Sequence, residues 1–123
     1  MELGAFSVSL AVRDLAASKD FYAGLGFEIV GGNESDGWLI IRNDKTTLGL
    51  FQGMFERNML TFNPGWDATA QPLETLTDVR DIQRQLKKNG LKPSSEADET
   101  TSGPASLVLV DPDGNPVLID QHR

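Results

Sequence analysis

Val12-Arg13-Asp14-Leu15, running on to Phe21, Leu25 and Gly26, is answered by Leu76-Thr77-Asp78-Val79, running on to Gln85, Asn89 and Gly90. Asp14 and Asp78 stand 64 residues apart, and so do Gly26 and Gly90. Each copy pairs an aspartate suited to cap a helix start with a glycine suited to end the helix. A strand end, a helix start and a helix stop therefore recur in register, which marks one folding unit used twice. The expectation is a site enclosed between the two halves, with its chemistry written at their matching positions.

Working outward, Phe6 to Val12 alternates, with Phe6, Val8, Leu10 and Val12 on one face and Ser7, Ser9 and Ala11 on the other, as a half-buried strand does. Leu15, Ser18, Phe21, Tyr22 and Leu25 fall on one helical stripe. Phe27 to Val30 reads as a short strand. Trp38 to Arg42 and Thr46 to Gln52 read as two more, joined by the turn residues Asn43-Asp44-Lys45. The segment 53–70 holds Met54, Phe55, Leu60, Phe62 and Trp66 without either period. It is expected as a packed crossover or as the wall of a pocket. Gln71 to Thr77 is expected as a strand, and Val79, Ile82 and Leu86 as the core face of a second helix. Leu91 to Ser94 follows as a short strand, and 94–103 as a polar loop. Ser106 to Val110 and Pro116 to Gln121 then form a hairpin around Asp111-Pro112-Asp113-Gly114-Asn115.

The chain has 123 residues, 39% hydrophobic and 24% charged, enough for one core and too few for two independent ones. Both copies are thus expected within a single domain, 1–123. A net charge of -7 repels phosphate backbones and anionic lipid, which argues against nucleic-acid and membrane-surface roles. Cysteine is absent, which removes thiol catalysis and fits a reducing compartment. The stretch Leu3 to Val12 is interrupted by Gly4, Ser7 and Ser9 and does not read as a leader. A cytoplasmic protein is the expectation. With His122 the only histidine, placed beside Arg123 in the tail, no Ser, His and acid trio can be assembled. No phosphate-binding loop is present, and Gly31-Gly32 lacks the strand-to-helix setting of a dinucleotide site.

A strand ending in V-x-D-L, a helix carrying Phe21-Tyr22 and then Leu25-Gly26-Phe27, and the terminal hairpin D-P-D-G-N together resemble the vicinal-oxygen-chelate superfamily. Glyoxalase I, extradiol dioxygenases, and fosfomycin- and bleomycin-resistance proteins belong to it. The resemblance covers nearly the whole chain. It implies an α+β fold of paired βαβββ modules, here 5–52 and 71–121 joined by the crossover 53–70, with a curved mixed sheet around a cavity and the helices outside. It also implies homodimers. Enzymes of the superfamily hold a divalent metal through two positions per module, on the first and last strands. Carried onto this sequence, those positions are Ser7, Gly49, Gln71 and Leu118. Only Gln71 can ligate, so no cofactor is expected and the usual metal is absent. The one alternative is a displaced oxygen site built from Gln71, Glu74 and Asp120. Glu74 matches the core position Leu10 under the 64-residue offset, which calls for a bulge or a partner.

Along the inner face the period places Ser7, Ser9, Gly49, Phe51, Gln71, Leu73, Thr75, Leu118 and Asp120, with Trp38, Phe62 and Trp66 able to stack on a planar ligand. Three functions remain open. The first is a metal-free protein binding a small organic ligand; the second is a lyase or dioxygenase with displaced ligands, or with Asp120 or Glu74 as a base. The third is a protein whose cavity has collapsed and which acts through its dimer surface.

Overall fold

Alternation in the first strand and the aspartate after it set the pattern that the whole chain follows. The computed structural model describes all residues from Met1 to Arg123. It contains β1 (Ala5–Val12), α1 (Leu15–Ala23), β2 (Glu28–Asn33), a 3-10 turn (Glu34–Asp36), β3 (Trp38–Asn43) and β4 (Thr46–Gln52). β5 (Met59–Asn63), α2 (Val79–Lys88), β6 (Ala105–Val110) and β7 (Pro116–Gln121) follow. The chain divides into two compact units, one of residues 7–59 and one of residues 1–6 with 60–123. The fold is α+β, and each unit mixes parallel and antiparallel strand pairs.

In the unit 7–59 the strands lie in the order β2-β3-β4-β1, with β1 parallel to β4 and the other pairs antiparallel. Leu10 pairs with Leu50, and Leu39 with Leu50, so the apolar residues of three strands share the face that α1 covers. The core is Leu15, Leu39, Ile41 and Leu50, with Leu10, Val12, Tyr22, Phe27 and Leu48 packed around it. Each such aliphatic side chain contributes about 1.5–3 kcal/mol by leaving water. Asp14 caps α1, its carboxylate accepting from the Ala17 N–H at 3.1 Å. The helix stops at Gly26, which adopts φ 93° so that the Phe27 N–H can reach the Tyr22 carbonyl at 3.1 Å. The expected helical stripe is narrower than the sequence suggests. Phe21 and Leu25 are 66% and 57% exposed. Leu15 and Tyr22, seven residues apart, define the buried line, and α1 ends before Leu25.

In the other unit the order is β5-β7-β6, with β5 parallel and β6 antiparallel to β7. Val79, Ile82 and Leu86 of α2 pack on Leu107 and Ile119, with Ala97 closing the core. Asp78 and Gly90 repeat the roles of Asp14 and Gly26: Asp78 accepts from the Arg80 N–H at 2.8 Å, and Gly90 takes φ 86° while the Leu91 N–H reaches the Leu86 carbonyl at 3.0 Å.

Three expectations need correction in this unit. The strand placed at Gln71 to Thr77 does not form. The strand that runs beside β7 is β5, inside the segment read as a crossover. Pro72 has no N–H to give a ladder, and the Asp67 carboxylate gathers the N–H groups of Thr69 and Gln71 into a turn. Only the single bridge Trp66–Pro72 remains there. Leu91 to Ser94 is likewise not a strand, since Pro93 interrupts it and a lone Ser95–Val108 bridge takes its place. Glu74 is exposed in the loop before α2, so it neither occupies a core position nor needs a bulge. No helix is long and apolar enough to cross a membrane.

Candidate functional site

Strand register decides which side chains share a face, and the faces opposite the two helices carry the candidate chemistry. In the unit 7–59, Ser9 pairs with Gly49, Gly49 with Ile40, and Phe51 with Trp38. Ser9, Gly49, Phe51 and Trp38 thus stand together on the face away from α1, and Ser7 joins them by alternation. The Trp38 and Phe51 rings are parallel to within 3°, their centroids 6.1 Å apart, and Phe55 lies 5.3 Å from Phe51 at 47°. All three are half-buried. Gly49 makes the arrangement possible, because a Cβ there would sit 2.5 Å from Cε2 of Phe51. In the sequence Phe55 reads only as part of a segment that could wall a pocket, because that segment is aperiodic; Phe51 is visible through strand alternation.

In the other unit, Leu118 pairs with Thr61 and Val108, and Asp120 with Ser106, on the face away from α2. The Asp120 carboxylate meets Nε2 of His122 at 3.0 Å, and the His122 ring lies 4.9 Å from Trp66. His122 is therefore a partner of Asp120 rather than a free tail residue. Phe62 belongs to β5, in register with the core residue Ile119, and touches Phe6 at 5.1 Å. Gln71, Glu74 and Thr75 are exposed on the loop between β5 and α2. Gln71 turns its side-chain amide to the Thr69 carbonyl at 3.4 Å, and Leu73 is half-buried.

The same registers test whether a divalent metal fits. Ser7 stands two residues before Ser9, the partner of Gly49, and its counterpart two residues before Thr61, the partner of Leu118, is Met59. The four positions are then Ser7, Gly49, Met59 and Leu118. A neutral hydroxyl, no side chain, a thioether and an alkyl group do not make a hard-cation site. No three His, Cys, Asp or Glu side chains converge elsewhere to hold a metal ion. The residues present do not fit the metal that the resemblance implies.

Of the acidic residues with altered pKa, Asp111 lies in the β6–β7 turn, and Asp78, Asp98 and Glu99 lie at the start of α2 and on the loop beside it. Burial works to raise the pKa of Asp78, but hydrogen bonds from the Arg80 backbone, Gln121 and the Arg80 side chain outweigh it and hold it low. The Thr100 hydroxyl and N–H lower Asp98, and Gln83 lowers Glu99. These groups fasten loop 94–103 to α2. Arg80, 4% exposed, donates to the carbonyls of Asp98 and Gly103, to the Thr101 hydroxyl and to Asp78.

A sequence profile described as the Glyoxalase/Bleomycin resistance protein/Dioxygenase superfamily matches residues 4–119. Among solved structures, an NAD-dependent benzaldehyde dehydrogenase from Legionella pneumophila aligns with a TM-score of 0.68 at 17% identity, over 96% of this chain and 99% of its own. A glyoxalase/bleomycin resistance protein/dioxygenase superfamily member from Vibrio splendidus gives 0.65 at 13% identity, over 94% and 97%. An extradiol ring-cleaving dioxygenase from B. fuscum gives 0.59 at 20% identity, over 99% of this chain but 32% of its own. At these identities the likeness is one of fold. No curated protein sequence matches the chain.

Proposed function

The chain belongs to the Glyoxalase/Bleomycin resistance protein/Dioxygenase superfamily, and on that premise we propose that it binds a small planar organic molecule without a metal ion. The observation that carries this reading is the Trp38–Phe51–Phe55 group, half-buried beside the small residues Ser7, Ser9 and Gly49 on a sheet face that also carries Ile40. Parallel rings beside small residues offer a flat apolar surface, and the two serine hydroxyls can orient a polar edge. The donor set at the four metal positions supports binding over metal-assisted chemistry. Lack of cysteine supports a reducing compartment, the cytoplasm.

The test is a thermal-shift screen over aromatic metabolites and antibiotics, because a ligand that binds the folded state raises its stability. Hits are expected to quench Trp38 in a Trp66→Phe variant and to lose affinity in Phe51→Ala. A library that gives no stabilisation, or hits indifferent to Phe51, would overturn the reading. Metal analysis of the purified protein tests the other half. A stoichiometric divalent ion lost in Glu74→Ala or Asp120→Ala would replace the proposal with the lyase or dioxygenase alternative.

A further inference from the structure

A groove of about 430 Å³ lies in the unit formed by residues 1–6 and 60–123, and none of Trp38, Phe51 and Phe55 lines it. Its floor is set by close backbone approach. A Cβ on Gly4 would fall 1.9 Å from the Asn63 carbonyl oxygen, so only glycine brings the two segments together. The Ala5 N–H donates to the Trp66 carbonyl at 2.9 Å, and the buried Asn63 side chain accepts from the Gly65 N–H at 3.1 Å. The turn carrying Trp66 is therefore fixed before any ligand arrives.

Leu3, Phe6, Trp66 and Leu73 supply apolar walls, and the only ionisable side chains lining the groove are Glu2 and Asp67. Asp67 is held in place by the N–H groups of Thr69 and Gln71 on its Oδ1. The neighbouring cation, Arg123, is outside the lining and donates to the carbonyls of Gly65 and Leu73. We propose that this groove binds an amphipathic organic cation, its ammonium group over the Trp66 indole between Glu2 and Asp67 and its apolar body against Leu3, Phe6 and Leu73. An indole face attracts a cation, and two carboxylates add charge of the matching sign. The volume suits a small organic molecule, and the net charge of -7 favours the approach of cations.

The chain has two tryptophans, Trp38 and Trp66, so Trp38→Phe leaves Trp66 as the only indole. Benzyltrimethylammonium titrated into that variant is expected to change Trp66 emission with saturation. Choline is expected to bind about tenfold more tightly than its uncharged carbon isostere. Asp67→Asn keeps the turn acceptor and removes the charge, and Glu2→Gln lies outside that turn. Each is expected to weaken binding several-fold. An absent or unsaturable response, equal binding of choline and the isostere, or charge variants that bind as well as the parent would overturn the proposal. The planar-ligand reading is read from Trp38 in Trp66→Phe, so either proposal can fail without the other.

Discussion

Gln121 and Val79, 42 residues apart in sequence, meet at 2.7 Å: the side-chain oxygen at the end of β7 accepts from the backbone N–H that opens α2. The other unit repeats the device, with Gln52 at the end of β4 accepting from the Leu15 N–H at 2.8 Å. The first N–H groups of a helix have no intrahelical acceptor. Asp14 and Asp78 satisfy one further along each helix, and the glutamines satisfy the first. The duplicated unit thus includes a bond from last strand to helix as well as a cap.

The two glutamines differ in burial, and stability should follow that difference. Gln121 is 2% exposed, and its amide also donates to Asp78, Gly103 and Arg123, whereas Gln52 is exposed. Gln121→Ala should cost about 2–3 kcal/mol and Gln52→Ala about 1 kcal/mol. Urea unfolding of both variants checks this. Equal losses would mean that burial of the unsatisfied N–H does not set the cost.

Acid should weaken the unit that contains α2. Asp78, Asp98, Glu99 and Asp111 all have pKa values lowered on folding, by the hydrogen bonds described above and, for Asp111, by the Asn115 side chain and N–H. A lowered folded pKa gives stability that is complete above the ordinary carboxylate value of about 4 and is lost as pH falls through the folded value. Denaturant midpoints should therefore hold between neutral pH and about 5 and drop below about 4. Asp78→Asn retains a cap acceptor and should show a smaller drop. An acid limb identical to the parent's would exclude Asp78 as a contributor.

The helix caps, both helix stops, β4 and β7 were legible in the sequence, because Asp, Gly and strict alternation act locally. The 64-residue offset misled only at the first strand of the second unit. Repeat spacing holds from Asp78 to Gly90, but the loop 64–77 places Met59 of β5, rather than Gln71, at the position matching Ser7, twelve residues upstream. Asp67 and Pro72 were the signals for that loop, through turn formation and a missing N–H. Of the site residues, Ser9, Gly49 and Phe51 followed from alternation, whereas the pairing of His122 with Asp120 depends on a strand continuing to its last residues.

Arg80 should not be replaceable by lysine. Its guanidinium spans Asp78, Thr101 and two backbone carbonyls from a buried position, and an ammonium offers no planar fork to do so. Arg80→Lys should lose about 2–4 kcal/mol and raise amide exchange across 98–103 before the rest of the unit. Exchange that rises uniformly would show that Arg80 does not anchor this loop in particular.

Gly4 and Gly49 both meet a neighbour too closely for a Cβ, yet alanine should act differently at each. At Gly4 the obstacle is the Asn63 backbone, with φ at 77°, and neither can yield without moving the turn that carries Trp66. Gly4→Ala should destabilise by about 1–3 kcal/mol. At Gly49 the obstacle is the far end of the Phe51 ring, which can rotate about its own side-chain bonds. Gly49→Ala should cost at most about 1 kcal/mol, since the ring swings aside and stays in a staggered rotamer. What it should remove is the parallel setting of Phe51 against Trp38, seen as a changed near-ultraviolet circular dichroism signal in Trp66→Phe, together with weaker binding of planar ligands. A Gly49→Ala protein with an unaltered Trp38 signal and unaltered binding would show that the glycine does not shape the aromatic face.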